Sequence, residues 1–342
     1  MLRIIRSLLV VLVCMHSTFA QAQASQRPFK IMMLLYRGQT EAEVGFMDYF
    51  KKQKIDAEFI IRDAQADRTK IADFVREAKE IKPDLIYTFG TTVTTEVVGL
   101  QNDIDPRRHI TTIPVVFNIV ADPVGAGLVK NLTSSSRNLT GASHLVPLAA
   151  QLKALQAMRA TTTMGVIYSP QEKNAALAVQ ELKVLAPKFK LTLDLVPVPA
   201  NASNQASIEG LRQAIAAVIA RKPQFIYLPS DSFLIKNANL VVQAASEARI
   251  PVFSATETPI RTDGALLGLV STYYNVGELA AHKAALILQK KKQASEIPVE
   301  VLHRFTYLVN MGTAKKLQIY PPLSILKIAE VVAPLDQVDA RE

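Results

Sequence analysis

The sequence KPDLIY at residues 82–87 returns as KPQFIY at residues 222–227, 140 positions later. In each copy a Lys-Pro pair ends a helical stretch and an apolar run follows, which is typical of a turn from a helix into a buried strand. A second pair of matching stretches, IPVVF at 113–117 and IPVF at 250–253, has a nearly equal offset of 137. Two matches in the same order predict two lobes of similar construction.

Short apolar runs alternate with amphipathic stretches around both repeats. In the first half we predict strands at 29–35, 58–61, 85–89 and 114–118 and helices at 41–53, 68–80 and 92–100. In the second half we predict strands at 164–168, 191–196, 225–228 and 252–254 and helices at 175–185, 207–220 and 234–248. Strands that alternate with helices are joined by right-handed crossovers, so each half is an α/β, Rossmann-like lobe with a mostly parallel sheet.

After residue 254 the chain continues with too few elements for a third domain. They are a strand at 265–270, a helix at 276–288 and extended segments at 299–302 and 307–310. These elements fit a chain that returns to the first lobe and then to the second, so that several crossings form a hinge beside a cleft. We therefore assign residues 28–143 and 256–293 to an N-terminal lobe, residues 144–255 and 294–332 to a C-terminal lobe, and residues 333–342 to a tail.

Residues 1–24 have the organisation of a secretory signal peptide. Two arginines precede an apolar run at 7–15, and small residues at 20–24 offer a cleavage site, whose position the sequence does not fix. The run is shorter than the roughly 20 residues that span a bilayer. Cys14, the only cysteine, lies in this run, so cleavage leaves a chain without disulfides. We therefore predict a protein that is secreted through a cleaved signal peptide; the family resemblance described below implies that its destination is the periplasm.

The composition excludes several other classes of protein. Over 342 residues, 49% are hydrophobic and 20% are charged, and the mean hydropathy is +0.16. These values are typical of a globular chain with two domains. The formal net charge is +9, but the dense basic run at 290–292 has no interleaved aromatic residues, so we expect no nucleic-acid partner.

Sequence signatures of catalysis and cofactor binding are missing. The chain has no G-x-S-x-G elbow, no H-E-x-x-H pair and no G-x-x-x-x-G-K-[ST] loop. Its histidines are scattered without the spacing of metal ligands. We therefore expect no metal, no cofactor and no enzymatic activity.

Ligands of parallel α/β sheets bind beyond the carboxyl ends of the strands, and this rule selects the candidate site residues. Thr91 and Thr92, with neighbouring N–H groups, are candidates for holding a carboxylate, and Asp231 is the candidate for an ammonium group. Tyr36 or Tyr274 would cover an apolar side chain. The complete ligand-binding set is Tyr36, Thr91, Thr92, Asn118, Asp122, Ser169, Asn174, Ser230, Asp231, Thr256 and Tyr274.

The stretch 113–141 resembles the pattern of ABC transporter substrate-binding proteins of the tryptophan/tyrosine-binding type. PVVF at 114–117, DPV at 122–124, AGLV at 126–129 and NLTG at 138–141 carry the resemblance, and weaker matches extend through most of the mature chain. The resemblance implies a periplasmic-binding-protein fold of the type I-like class, with three crossings between the lobes. It also implies a small solute that is captured in the cleft and passed to the transmembrane subunits of an ABC permease.

The chain departs from this pattern at two places, which leaves the identity of the solute open. SSSR stands at 134–137 where the family often has Pro-Gly, and the usual Asn-Ser pair appears as Asn174-Ala175 beside the cleft. Our hypothesis is a monomeric substrate-binding protein of an ABC importer, which closes on a small solute, with amino acids, aromatic ones included, as the first class to test. The alternatives are a periplasmic sensor that presents its closed form to a membrane receptor, and a periplasmic enzyme.

Overall fold

The computed structural model describes residues 27–302 and 304–332, so the predicted signal peptide at 1–24 and the tail at 333–342 lie outside the described residues. The first lobe begins with β1 (Phe29–Leu35), α1 (Glu41–Lys52), β2 (Ala57–Asp63), α2 (Ile71–Ile81), β3 (Leu85–Phe89), α3 (Gly90–Val98), β4 (Val115–Val120) and β5 (Leu139–Ser143). The second lobe follows with α4 (Leu148–Met158), β6 (Thr163–Tyr168), α5 (Lys173–Leu185), β7 (Thr192–Pro197), α6 (Ile208–Ala220), β8 (Phe225–Leu228), α7 (Ser232–Lys236), α8 (Ala238–Glu247), β9 (Val252–Ser254), α9 (Thr258–Arg261) and β10 (Leu267–Val270). The last elements are α10 (Tyr273–Leu288), β11 (Glu300–Val301), β12 (Thr306–Asn310), α11 (Met311–Leu317), α12 (Leu323–Leu326) and β13 (Ala329–Val332).

Two sheets form the centres of the two lobes. The first has the order β11-β5-β4-β3-β1-β2 and is parallel throughout. The second has the order β13-β12-β10-β9-β8-β6-β7, and only β12 runs against a neighbour, β10, among the described strands. The predicted fold class, two α/β lobes with mostly parallel sheets, is confirmed. None of the helices among the described residues is long and apolar enough to cross a membrane.

The chain passes between the sheets three times: after β5, after β10 and after β11. The predicted lobe boundaries differ from this topology in two places. They assign β10 to the first lobe, whereas this strand pairs with β9 and β12 in the second sheet. They also assign β11 to the second lobe, whereas it pairs with β5 in the first sheet. Hydrogen-bonding partners of such short strands depend on tertiary packing, which the sequence pattern does not show.

The repeated Lys-Pro stretches have the same backbone geometry in the two lobes. Lys82 and Lys222 both lie in the left-handed region, with φ of 50° and 52°, directly after α2 and close to the end of α6. A left-handed residue ends a helix, and the proline that follows prevents the helix from continuing. The next residues then enter β3 and β8, whose side chains are fully buried.

Some elements differ from the prediction. The elements that were not predicted are β5, α4, α9, α11, α12 and β13. The helix predicted at 234–248 is two helices, α7 and α8. The two helices meet at Asn237, whose side-chain amide donates a hydrogen bond of 2.8 Å to the carbonyl oxygen of Phe233. An asparagine side chain that binds the local backbone competes with helix continuation, which explains the break.

Helices α1 and α10 pack so closely against each other in the first lobe that glycine is needed at two positions of their contact. A Cβ atom added at Gly45 would overlap the carbonyl oxygen of Tyr274, and one added at Gly277 would overlap the carbonyl oxygen of Ala42. The two glycines therefore make this contact possible. Their packing attaches the chain that returns from the second lobe firmly to the first.

Candidate ligand-binding site

The candidate site lies where the carboxyl ends of the strands of the two sheets meet. A cavity of about 130 Å³ lies between the lobes there. Its lining is Tyr36, Ala66, Arg68 and Thr92 from the first lobe and Ser169, Gln171, Glu172, Asn204, Gln205, Ala206 and Phe233 from the second. A concave space between two domains is the usual setting for a small-molecule ligand.

Buried polar atoms without a hydrogen-bond partner gather at this cleft. Within residues 27–302 and 304–332 they are Arg37 Nε, His144 Nδ1, Ser169 Oγ, Gln171 Oε1, Glu172 Oε2, Asn174 Oδ1, Thr256 Oγ1 and Ser271 Oγ. All of these residues follow the carboxyl end of a strand, namely β1, β5, β6, β9 or β10. Buried polar groups are normally paired, because an unpaired one loses its hydration without compensation. A polar ligand would supply the hydrogen-bond partners that these atoms lack.

A larger groove, of about 760 Å³, lies beside α8 and α11 at the amino end of β10, away from the cleft. It is lined mainly by polar surface residues such as Gln243 and Lys316. None of the unpartnered buried atoms of the described chain belongs to its lining. The position of the unpartnered buried polar atoms therefore favours the smaller cavity between the lobes as the ligand site.

Asp231 is buried at the cleft, but its carboxylate is already used by the protein. Oδ2 accepts a hydrogen bond of 2.7 Å from the main-chain N–H of Ser169, and Oδ1 accepts one of 2.9 Å from that of Leu234, as the N-cap of α7. The first of these bonds joins the loop after β6 to the loop after β8. Burial raises the pKa of Asp231, and these bonds act in the opposite direction. Asp231 thus shapes the second-lobe side of the cleft.

Glu172 is the carboxylate that lines the cavity, and the sequence analysis missed it. Its side chain is 8% exposed and its Oε2 has no hydrogen-bond partner among the described residues. Burial, followed by the neighbouring Asp231 carboxylate, raises the pKa of Glu172 to about 8. Glu172 directly precedes α5, in the loop that already supplied Ser169 and Asn174 as candidates. The strand-end rule could therefore have found it.

Arg37 is a buried cation on the first-lobe side of the cleft, outside the cavity lining, and it too was missed. Arg68, the arginine that does line the cavity, is already paired with Glu96. Its guanidinium carbon lies 5.3 Å from the centre of the Phe89 ring, and Nη2 donates a long hydrogen bond of 3.5 Å to the hydroxyl of Tyr273. Its Nε has no partner. Arg37 follows the candidate Tyr36 directly after β1, so the same rule pointed to this loop as well.

His144, at the end of β5, connects the lobes through the candidate Ser230. Its Nε2 lies 3.1 Å from the Ser230 hydroxyl, and its ring packs edge-on against Tyr273 with the ring centres 5.7 Å apart. Burial, followed by the charge of Arg37, lowers the pKa of His144 to about 3. The amide of Asn174 donates to the Ser230 carbonyl oxygen, so the structure brings these two candidates together.

The remaining candidates of the first lobe fall into two groups. Thr92 lines the cavity, and Thr91 is buried beside it at the start of α3. Asn118 is fully buried and donates a hydrogen bond of 3.1 Å to the Tyr87 hydroxyl, away from the cavity lining. Asp122 accepts a hydrogen bond of 2.8 Å from the N–H of Gly125 and so closes a turn.

The two tyrosines proposed as aromatic covers lie in different places. Tyr36 lines the cavity, where burial and the Glu172 carboxylate raise the pKa of its phenol to about 12. Tyr274 instead lies between α1 and α10, where its hydroxyl donates to Asp48 at 3.0 Å and accepts from Lys52 at 2.9 Å. The structure therefore does not bring Tyr274 to the cavity. Thr256, in contrast, stays at the cleft with its hydroxyl unpartnered.

Known proteins resemble the chain along most of its length. A tyrosine-binding protein of Clostridioides difficile (strain R20291) is 27% identical over 265 residues, which cover 77% of this chain and 70% of that relative. The structure of an ABC domain from Streptococcus pneumoniae in complex with L-Trp superposes with a TM-score of 0.76 at 22% identity, over 88% of this chain and 99% of that one. A conserved domain protein from Vibrio cholerae gives a TM-score of 0.78 at 25% identity, over 89% and 99% of the two chains.

The family profile described as ABC transporter substrate binding protein matches residues 35–333. This range includes every strand of the two sheets except β1, which it enters at its last residue. The solved structures support the two-lobed fold, and the profile identifies the sequence. The chain belongs to the ABC transporter substrate-binding protein family.

Proposed function

We propose that the protein captures a small solute between its lobes and delivers it to the transmembrane subunits of an ABC importer. The observation that carries this proposal is the cluster of unpartnered buried polar atoms at the cleft, to which both lobes contribute. A ligand that pairs with these atoms stabilises the closed arrangement, because each paired atom recovers the free energy of its lost hydration. Hinge closure is then the step that completes the site.

An amino acid is the solute class that the site and the relatives support together. The cavity and its edge offer a guanidinium, a carboxyl group and several hydroxyl and amide groups. Tyr36 and Phe233 add aromatic surface to the lining. The curated relative is a tyrosine-binding protein and the solved relative holds L-Trp, which favours aromatic amino acids as the first ligands to test.

The proposal also includes the location of the protein and its oligomeric state. Substrate-binding proteins of this family are extracytoplasmic, and the first 24 residues carry the pattern of a cleaved signal peptide. We place the mature protein in the periplasm as a monomer, since one cleft formed by one chain is enough to hold one solute.

Ligand-dependent unfolding of residues 25–342 tests the proposal. A ligand at about 100 times its Kd adds about 2.7 kcal/mol to the free energy of unfolding, which raises the Tm by several degrees. We expect tyrosine or tryptophan to produce this shift and sugars, nucleosides and simple carboxylates to leave the Tm unchanged. Mass spectrometry of small molecules released on denaturation checks whether the purified protein already holds a ligand. A shift confined to a sugar or nucleoside would refute the amino-acid assignment.

A further inference from the structure

We infer that the cleft recognises its ligand by two opposite charges, with Glu172 of the second lobe binding a cationic group and Arg37 of the first lobe binding an anionic group. The ligand is then an amino acid whose α-amino and α-carboxylate groups are both free. This inference rests on the proposed function and adds to it the residues that select the ligand.

The hydrogen-bond partners of the two cleft carboxylates distinguish their roles. Each Asp231 oxygen accepts a main-chain N–H, and Asp231 is not part of the cavity lining. Glu172 does line the cavity, and its Oε2 has no partner within the described chain. The ammonium role that the sequence assigned to Asp231 therefore passes to Glu172.

Glu172 and Asp231 are two buried carboxyl groups whose negative charges disfavour each other. Burial and the neighbouring Asp231 charge raise the pKa of Glu172, so the empty site disfavours two ionised carboxylates. An ammonium group of the ligand would supply a counter-charge that lets Glu172 ionise, together with a donor for its unpartnered Oε2. A neutral amide or hydroxyl group would satisfy one hydrogen bond but would not stabilise the ionised form of Glu172.

Arg37, on the first lobe, is a positively charged side chain that lacks an anionic partner. Among the described residues, no carboxylate lies within 4.0 Å of its guanidinium, and its only polar contact is the 3.5 Å bond to Tyr273. Its position over the Phe89 ring holds the guanidinium plane in place. A guanidinium is always charged and its planar fork fits a carboxylate with two parallel hydrogen bonds. A ligand carboxylate is therefore the partner that Arg37 lacks.

The two charges belong to different lobes, so the ligand itself supplies the electrostatic link across the cleft. Arg37 lowers the pKa of Glu172, which places the two groups within electrostatic reach, yet they do not form an ion pair with each other. A ligand with both charges binds both lobes. A ligand with one charge binds one lobe and loses the contribution that closure adds.

Calorimetric titration of the mature wild-type protein with L-tyrosine, L-tyrosinamide and N-acetyl-L-tyrosine tests the inference. The amide lacks the carboxylate and the acetyl derivative lacks the ammonium group, so we expect each to bind at least about 30-fold more weakly than tyrosine, which corresponds to one lost charged hydrogen bond. Derivatives that bind within about threefold of tyrosine overturn the inference, because the charged ends then do not select the ligand.

Two variants connect each charge to its residue. We expect Glu172→Gln to weaken tyrosine but to leave the already weak N-acetyltyrosine unchanged, and Arg37→Met to weaken tyrosine but to leave tyrosinamide unchanged. Glu181→Gln on α5 and Arg76→Met, exposed on α2, are the matched controls. A purely structural defect would weaken all three ligands together and would contradict the assignment. If the wild type binds none of the three ligands while a different class of solute raises its Tm, the proposed amino-acid ligand is refuted and this inference fails with it.

Discussion

The side-chain amine of Lys173, at the start of α5 in the second lobe, donates a hydrogen bond of 2.7 Å to the main-chain carbonyl oxygen of Ala126 in the first lobe. A second lysine acts similarly at another place on the cleft, where Lys236 Nζ donates a bond of 3.2 Å to the carbonyl oxygen of Gln65. Neither lysine lines the cavity between the lobes. Both bonds therefore join the two lobes at points outside the cavity lining.

Replacing either lysine by methionine is expected to weaken ligand binding by about two- to fivefold, because an exposed charged hydrogen bond contributes up to about 1 kcal/mol to closure. The ranking of different ligands stays the same, since no cavity residue changes. Calorimetry gives the affinities, and small-angle scattering of the ligand-free protein reports a larger radius of gyration for the variants. Lys183→Met, exposed on the same helix as Lys173, is the control. Unchanged affinity and scattering would show that the bonds do not bias closure.

The contribution of Glu172 to the free energy of unfolding of the ligand-free protein is expected to fall as the pH rises from about 4.5 to about 8. Its pKa is raised in the folded protein, so the folded state binds more protons than the unfolded state in this interval. Glu172→Gln removes this dependence, and its Tm exceeds that of the wild type at pH 8 and approaches it at pH 4. Thermal unfolding across this range measures the difference. Parallel curves for the two proteins would contradict the raised pKa.

His144 is expected to give the opposite pH dependence, because it lowers the stability at acidic pH. Its pKa is lowered to about 3 from an ordinary value of 6.5, so the unfolded state binds the extra proton between these values and stability falls as the pH decreases below 6.5. His144→Gln keeps an amide within reach of Ser230 and is expected to flatten this loss. Unfolding curves at pH 4 to 7 compare it with His282→Gln, a change at an exposed position. An equal acid slope in the two variants would exclude His144 as its source.

The contact between α1 and α10 gives a prediction about stability. Gly45→Ala is expected to lower the free energy of unfolding by about 1–3 kcal/mol, because the added methyl group overlaps a main-chain carbonyl that has no room to move. The Tm falls by several degrees. Val44→Ala, on the exposed side of the same helix, serves as the control. A stable Gly45→Ala variant would mean that the two helices can separate at little cost.

Much of the fold could be predicted from local patterns alone. β3, β8 and β9 have the predicted bounds, because each is a short apolar run between strong turn signals. β5 was missed because Leu139–Ser143 is made of small and polar residues. It is buried all the same, since Gly141 allows the backbone of Phe117 on β4 to approach closely. That reason is a tertiary contact, which no periodicity records.

The candidate site was predictable by loop but not by side chain. The strand-end rule selected the loops that hold Arg37 and Glu172, yet it chose their neighbours. On a helix the same error occurred with Tyr274, which was chosen in place of its neighbour. The side chains of successive helical residues point about 100° apart. The neighbour, Tyr273, turns inward and contacts Arg37 and His144. Which of two adjacent side chains faces a cleft depends on the packing of the whole lobe.

The close packing of α1 against α10 also determines the order in which the lobes can be completed. The central strands of the second sheet, β6 to β10, come from one uninterrupted stretch of chain at 163–270. Helix α1 lacks its partner until residues 273–288 have been added. The lobe that begins the chain is thus completed only by residues that follow the core of the other lobe in the sequence.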